Sequence, residues 1–151
     1  IKQRCKALEE DRIDIRIGDQ GDVETHDKIH KEFGEFDIIL DDGGHHMHEQ
    51  IVTFECMFPR LKDGGLYIIE HLHTSYSEKH GGGILKPTSF IEYSKKWIDD
   101  MHGWHKHFNE KLEPNYLTEN IAGIHYFDSI VVLEKKKRKE PVTEKIGTDS
   151  Y

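Results

Sequence analysis

Three short clusters of oxygen and nitrogen donors stand out in the sequence, each just after an apolar or alternating run: Asp19-Gln20, Asp41-Asp42 with His45, and Glu70-His71 with His73. Carboxylates crowded together repel one another unless a proton or a cation lies between them. Oxygen donors completed by water and substrate suit Mg²⁺. An imidazole at His45, just past a glycine turn, is placed to take a proton near neutral pH. A cation beside it would lower the pKa of a coordinated hydroxyl. A second reading fits the same residues: Asp-Asp-Gly-Gly is good turn sequence, because Asp bonds its own backbone and Gly supplies positive φ. Spacing alone leaves both open. Of the 12 histidines, His26, His30, His102, His105 and His107 read as solvated helix residues rather than site residues.

Strand ends must bring these clusters together. Residues 12–17 alternate charged and β-branched side chains with period two, which predicts a strand with one wet face. Residues 36–40 and 66–69 are short, almost continuously apolar runs, as in strands buried on both faces of a parallel sheet. Residues 23–33, closed by Gly34, read as a helix. Residues 48–61 place Ile51, Phe54, Met57 and Phe58 at helical spacing, with Lys62-Asp63-Gly64-Gly65 as terminator. Further helices are expected over 1–11 and 88–112, and a last strand over 130–133. Residues 73–87 form a glycine-rich loop long enough to bind or cover something. Strand, helix and strand in alternation predict an α/β fold with a parallel sheet, whose ligands bind beyond the carboxyl ends of the strands. All three donor clusters lie there. Gly18 to Asp22 lacks the spacing of a phosphate loop; its acceptors and amide suit an adenine or ribose edge.

Composition narrows the function classes. The 151 residues carry 21 Lys+Arg against 29 Asp+Glu, a net charge of −8, which argues against nucleic acid as the main partner. The basic run 135–139 reads as a solvated strand end or tail. No apolar run is long enough to cross a bilayer, and the first residues given lack the basic-then-apolar layout expected of a secretory signal. Cys5 and Cys56 lack the spacing of a disulfide scaffold or zinc motif, which fits a reducing, cytoplasmic setting.

Taken in order, IGDQGD, FDIILDDGGHH, FPRLKDGGLYIIEHLHTSY and IHYFDSIVVLEK resemble the class I S-adenosylmethionine-dependent methyltransferases. Within them they resemble the macrocin and mycinamicin sugar O-methyltransferase group, whose relatives include proteins labelled cephalosporin hydroxylases. The resemblance implies a Rossmann-like sheet and methyl transfer from S-adenosylmethionine to the hydroxyl of a sugar-like small molecule, assisted by Mg²⁺. By that likeness Asp42 and Glu70 are metal ligands, His45 is the base, and Asp19, Gln20 and Asp41 line the cofactor, Asp41 beside its reacting end. The group has Glu-Asp where this chain has Glu70-His71. His71 is thus a candidate ligand that shifts preference from Mg²⁺ toward other divalent metals.

The group's glycine-rich loop and its ribose-binding acid would precede Ile1. Residues 1–135 are accordingly expected to be the C-terminal part of a truncated methyltransferase domain, with 136–151 a charged, disordered tail. Such a piece is expected to bind the cofactor weakly and to be inactive alone. Its strand over 12–17 would lie apart from that over 36–40, and its open sheet edges would invite a second copy. Two other classes remain: a non-catalytic metal-binding or interaction remnant of the fold, and a non-heme iron hydroxylase using two imidazoles and a carboxylate.

Overall fold

The computed structural model describes residues 2–148. Ile1, where the first expected helix starts, and residues 149–151 of the expected tail lie outside the described residues. Five helices are present among those described: α1 (Lys2–Lys6), α2 (Val23–Phe33), α3 (Met47–Met57), α4 (Phe90–Met101) and α5 (Tyr116–Asn120). The strands are β1 (Phe36–Asp41), β2 (Leu61–Ile69), β3 (Ile121–Phe127) and β4 (Ile130–Lys135). They form one sheet in the order β1-β2-β4-β3. Only β1 and β2 run parallel; β4 is antiparallel to both β2 and β3.

Local signals set the first elements. Asp22 accepts hydrogen bonds from the backbone N–H groups of Glu24 and Thr25, satisfying donors that a helix start leaves open, and Gly34 closes α2 at φ 76°. Helix α3 stops at Met57, earlier than expected. Pro59 follows in a short 3₁₀ turn, and Leu61 already belongs to β2.

The expected terminator 62–65 lies inside β2. Phe36 pairs with Leu61 and Ile38 with Leu66, so the extra residues bulge out of the ladder. Gly64 takes φ 85° there, and a Cβ on Gly65 would stand 2.7 Å from the Asp37 carbonyl oxygen.

Residues 12–17 form no strand. Their only ladder contact is an isolated bridge between Glu10 and Ile13, and Ile13 and Ile17 stay 44% and 43% exposed. Alternation marks which face would be wet, but a strand also needs a neighbour to take its backbone groups. Arg16 instead pairs with Glu32, and Glu9 accepts the Ile15 N–H.

The long helix expected over 88–112 ends at Met101. Gly103 packs so closely that a Cβ would meet Thr118 Oγ1 at 2.6 Å and the Glu113 carbonyl oxygen at 2.7 Å, which turns the chain. Helix α5 and strand β3 follow, with Asn115 capping α5. The basic run also departs from the solvated reading. Lys135 is buried, and its ammonium donates to the carbonyls of Phe58, Pro59 and Leu61 at 3.0, 2.9 and 2.6 Å.

The core lies on one face of the sheet. Phe54 and Phe58 meet Trp97 and Phe90 of α4 over Tyr67, Ile69, Val131 and Leu133. Phe54 and Trp97 have ring centroids 4.3 Å apart. On the other face Ile38 and Leu40 of β1 are 60% and 56% exposed. No helix of the described residues is long and apolar enough to cross a membrane.

Candidate functional site

The parallel register of β1 and β2 places Asp41 opposite Ile69, so the residues just past them share one end of the sheet. The Glu70 N–H donates to the Asp41 carbonyl at 3.0 Å and fastens the two exits together. Both exits then bend sharply. His45 and His71 take φ 60° and 58°, left-handed conformations that side chains with a Cβ seldom adopt. Such backbone costs of order 1–3 kcal/mol per residue and persists only where its surroundings enforce it.

The bends bring Asp42, His45 and His71 together, with one donor atom from each within 4.8 Å of the others. His71 Nδ1 lies 2.9 Å from Asp42 Oδ1, and His45 Nε2 lies 3.9 Å from the same oxygen. The two imidazoles stack with centroids 4.1 Å apart. His71 Nδ1 is close to the carboxylate yet makes no aligned hydrogen bond with it, and His45 Nδ1 is buried without a partner. Donor atoms gathered this closely without bonding one another fit a shared cation. One carboxylate and two imidazoles are also a donor set that divalent metals accept, Mn²⁺, Fe²⁺ and Zn²⁺ more readily than Mg²⁺. The Glu70 carboxylate is not part of the cluster.

Asp41 occupies a different setting. It is buried, its Oδ1 accepts from Gln20 Nε2 at 2.6 Å, and its Oδ2 has no hydrogen-bond partner. Burial pushes its carboxyl up to about 6, against the opposing pull of the Gln20 hydrogen bond. A buried carboxylate with one free oxygen suits a positively charged neighbour. Burial, with His71 alongside, holds the His45 imidazole below its ordinary range, which favours its neutral form.

Gln20 is occupied inside the protein. While Nε2 holds Asp41, its Oε1 accepts the Gly44 N–H at 2.7 Å. A Cβ on Gly43 would come within 1.9 Å of that same Oε1, which is why glycine stands in the turn. Asp19 is exposed and accepts the Gly21 N–H at 2.8 Å, a turn within its own loop. His26, expected to be solvated, is buried and bonds the Gln20 carbonyl through Nε2 at 2.8 Å.

Two residues outside the expected set also belong here. Thr74 is buried, with its hydroxyl 3.0 Å from the His45 carbonyl oxygen and 2.8 Å from that of His71. Ser129, in the β3–β4 turn, meets His73 Nδ1 at 2.5 Å. Both are small hydroxyl residues whose roles depend on chain segments far apart in sequence. A groove of about 440 Å³ runs from His73 and Ser129 along Leu72, Tyr76, Tyr126 and Phe127. One wall comes from the start of the loop over 73–87; the other comes from the β3–β4 hairpin, with Ile91, Lys95 and Ile98 of α4 between them.

No protein-family model matches the chain. A tetracenomycin-modifying relative from Streptomyces olivaceus, 8-demethyl-8-(2-methoxy-alpha-L-rhamnosyl)-tetracenomycin-C 3'-O-methyltransferase, is 33% identical over 137 residues, 89% of this chain and 35% of its own length. Mycinamicin VI 2''-O-methyltransferase from Micromonospora griseorubida is 33% identical over 137 residues, 88% of this chain and 34% of its own length. The solved MycE methyltransferase of the mycinamycin biosynthetic pathway, in complex with Mg and SAH, matches at a TM-score of 0.84 and 30% identity over 95% of this chain and 38% of that one. The chain spans about a third of the length of the curated relatives it matches. In sequence and backbone, the chain is similar to the macrocin and mycinamicin sugar O-methyltransferase group of the class I S-adenosylmethionine-dependent methyltransferases.

Proposed function

We propose that this chain carries part of the active site of an S-adenosylmethionine-dependent, divalent-metal-assisted O-methyltransferase acting on a small-molecule hydroxyl. The supporting observation is the convergence of Asp42, His45 and His71 at the ends of two neighbouring parallel strands. Asp42 and His71 would hold the cation, and Glu70, next to His71 in the chain, would reach it only by moving its carboxylate toward the cluster. A cation bound there lowers the pKa of the acceptor hydroxyl and helps to orient it. His45, whose neutral form its burial favours, takes the hydroxyl proton. Asp41 would stand beside the positive sulfonium of the cofactor, which answers its unpartnered oxygen. Asp19 lies toward the adenine side, and Gln20 serves that side by holding Asp41 and the turn at Gly44.

The acceptor would lie in the groove between Tyr76 and the β3–β4 hairpin, with His73 and Ser129 at its inner end. Aromatic walls suit the apolar face of a ring system. Relatives named for a rhamnosyl tetracenomycin and for mycinamicin VI support a sugar-bearing acceptor. Methyl transfer from labelled S-adenosylmethionine by the full-length protein tests the reading. His45→Ala is expected to lower the rate by about 10²–10⁴-fold, the usual contribution of a positioned base. Asp42→Ala should abolish the metal-assisted activity. Full activity in both variants would remove these roles.

The same cluster favours a second reading, because two imidazoles and one carboxylate also hold ferrous iron in oxygenases. It would make His45 a ligand and leave the site without that base. Iron-dependent oxidation with 2-oxoglutarate, in place of methyl transfer, is the result that would select it. Metal binding without cofactor binding in the full-length protein would instead mark a non-catalytic remnant.

A further inference from the structure

His45 and His71 share an uncommon backbone state, and one side chain touches both bends. Thr74 sits in the 3₁₀ turn 72–76 that follows His71 and is 5% exposed. Its hydroxyl is 2.8 Å from the His71 carbonyl oxygen and 3.0 Å from the His45 carbonyl oxygen. A hydroxyl has one proton to give. The His71 carbonyl already accepts the Thr74 N–H at 3.0 Å. The His45 carbonyl has no such second donor among the backbone bonds of the described residues. The hydroxyl proton therefore does more at His45, where it joins the bend after β1 to the turn after β2.

We propose that Thr74 is a positioning residue for the cluster: its hydroxyl locks the left-handed bend at His45 to the turn carrying His71, and so sets the spacing of the two imidazoles. The proposal rests on the reading of Asp42, His45 and His71 as one functional site. The imidazoles stack at 4.1 Å, so the base at His45 and the ligand at His71 keep their mutual geometry only while the two bends hold their spacing. Partners that orient ligand side chains are worth about 10- to 100-fold in metal affinity.

The test replaces the hydroxyl while keeping the shape. In the full-length protein, Thr74→Val is expected to weaken Mn²⁺ binding, measured by calorimetric titration, about 10- to 100-fold. Thr74→Ser, which keeps the donor, should bind within about twofold of the natural protein, since only a methyl group changes. Thermal unfolding of each variant separates positioning from stability: a role confined to the turn would lower the melting temperature and leave affinity per folded molecule unchanged. Should valine not fold, Thr74→Ala makes the same comparison.

Imidazole proton resonances of the metal-free protein give a second readout. In Thr74→Val those of His45 should move while those of His102 stay in place. Unchanged affinity together with unchanged His45 resonances would overturn the proposal. If the natural protein binds no Mn²⁺, the reading of the cluster as a metal centre fails, and the His45 resonances alone decide the role of Thr74.

Discussion

Gln20 Nε2 donates to Asp41 Oδ1 at 2.6 Å while Gln20 Oε1 accepts the Gly44 N–H at 2.7 Å, so one amide spans the carboxylate at the end of β1 and the glycine turn after it. Both functional atoms of Gln20 are thereby used on the protein itself. Gln20→Leu leaves a buried carboxylate without its donor, a loss of about 1–3 kcal/mol. Denaturant unfolding should show that loss. Gly43→Ala would push the same Oε1 aside, since a Cβ would lie 1.9 Å from it. The double variant is expected to cost little more than the worse single one, because both remove one connection. Additive losses would show that the two positions act separately.

The Asp41 carboxyl, raised by burial to about 6 from the usual 3.8, has a definite sign in its effect on stability. The folded chain binds that proton more tightly than the unfolded chain, so stability falls as pH rises from about 4 to about 6 and is level beyond. A shift of roughly two units corresponds to about 3 kcal/mol. Urea unfolding of the protein freed of metal and cofactor, at intervals from pH 4 to pH 7, should trace this step. Asp41→Asn should remove it and be the more stable protein at pH 7. Parallel curves for the two proteins would mean that Asp41 titrates normally. A bound sulfonium beside Asp41 would favour its ionised form and erase the step in the natural protein too.

Local chemistry made some elements readable in advance and non-local chemistry hid others. Asp22 and Gly34 bracket α2 within its own sequence, and the apolar run of β1 needs no partner to be recognised. Gly64 and Gly65 look the same whether they end a helix or bulge a strand. The outcome depends on how close Asp37 comes from the neighbouring strand. Residues 12–17 carry the right alternation for a strand but lack a neighbour to pair with among the described residues. Strand β3 is defined by its pairing with β4 and by the turn at Ser129, which takes φ 66°. The candidate site divides in the same way. The proximity of Asp42, His45 and His71 was legible because residues just past neighbouring parallel strands share one end of the sheet, whereas Glu70, expected with them, stays outside the cluster. The internal duties of Gln20, Thr74 and Lys135 were not, since each depends on a carbonyl or carboxylate supplied by a distant segment.

Lys135 closes the last strand against the loop before β2. Its ammonium is the donor to three carbonyls, and burial pulls its pKa below the ordinary lysine value. Lys135→Met keeps the aliphatic stem but leaves those carbonyls short of a donor. A loss of about 2–4 kcal/mol is expected, within the range for breaking a buried charged connection. Chemical denaturation would measure it, and a change below about 0.5 kcal/mol would place this lysine with ordinary surface residues.

If the cluster holds a cation as proposed, His71 biases which metal it prefers. An imidazole at that position, 2.9 Å from Asp42 Oδ1, brings a nitrogen donor to a place where a carboxylate would bring oxygen. Mg²⁺ demands oxygen and sheds water reluctantly, whereas Mn²⁺, Fe²⁺ and Zn²⁺ accept imidazole. Calorimetric titration of the natural protein should therefore rank Zn²⁺ above Mn²⁺ and Mn²⁺ above Mg²⁺. His71→Asp restores an oxygen donor and adds negative charge, so it should strengthen Mg²⁺ binding while weakening the advantage of Zn²⁺. Methyl transfer by the full-length protein should follow the same order, the variant working at lower Mg²⁺ than the natural protein. If His71→Asp leaves the ranking of metals unchanged, His71 is not a ligand, and its stacking on His45 is then its main contribution to the site.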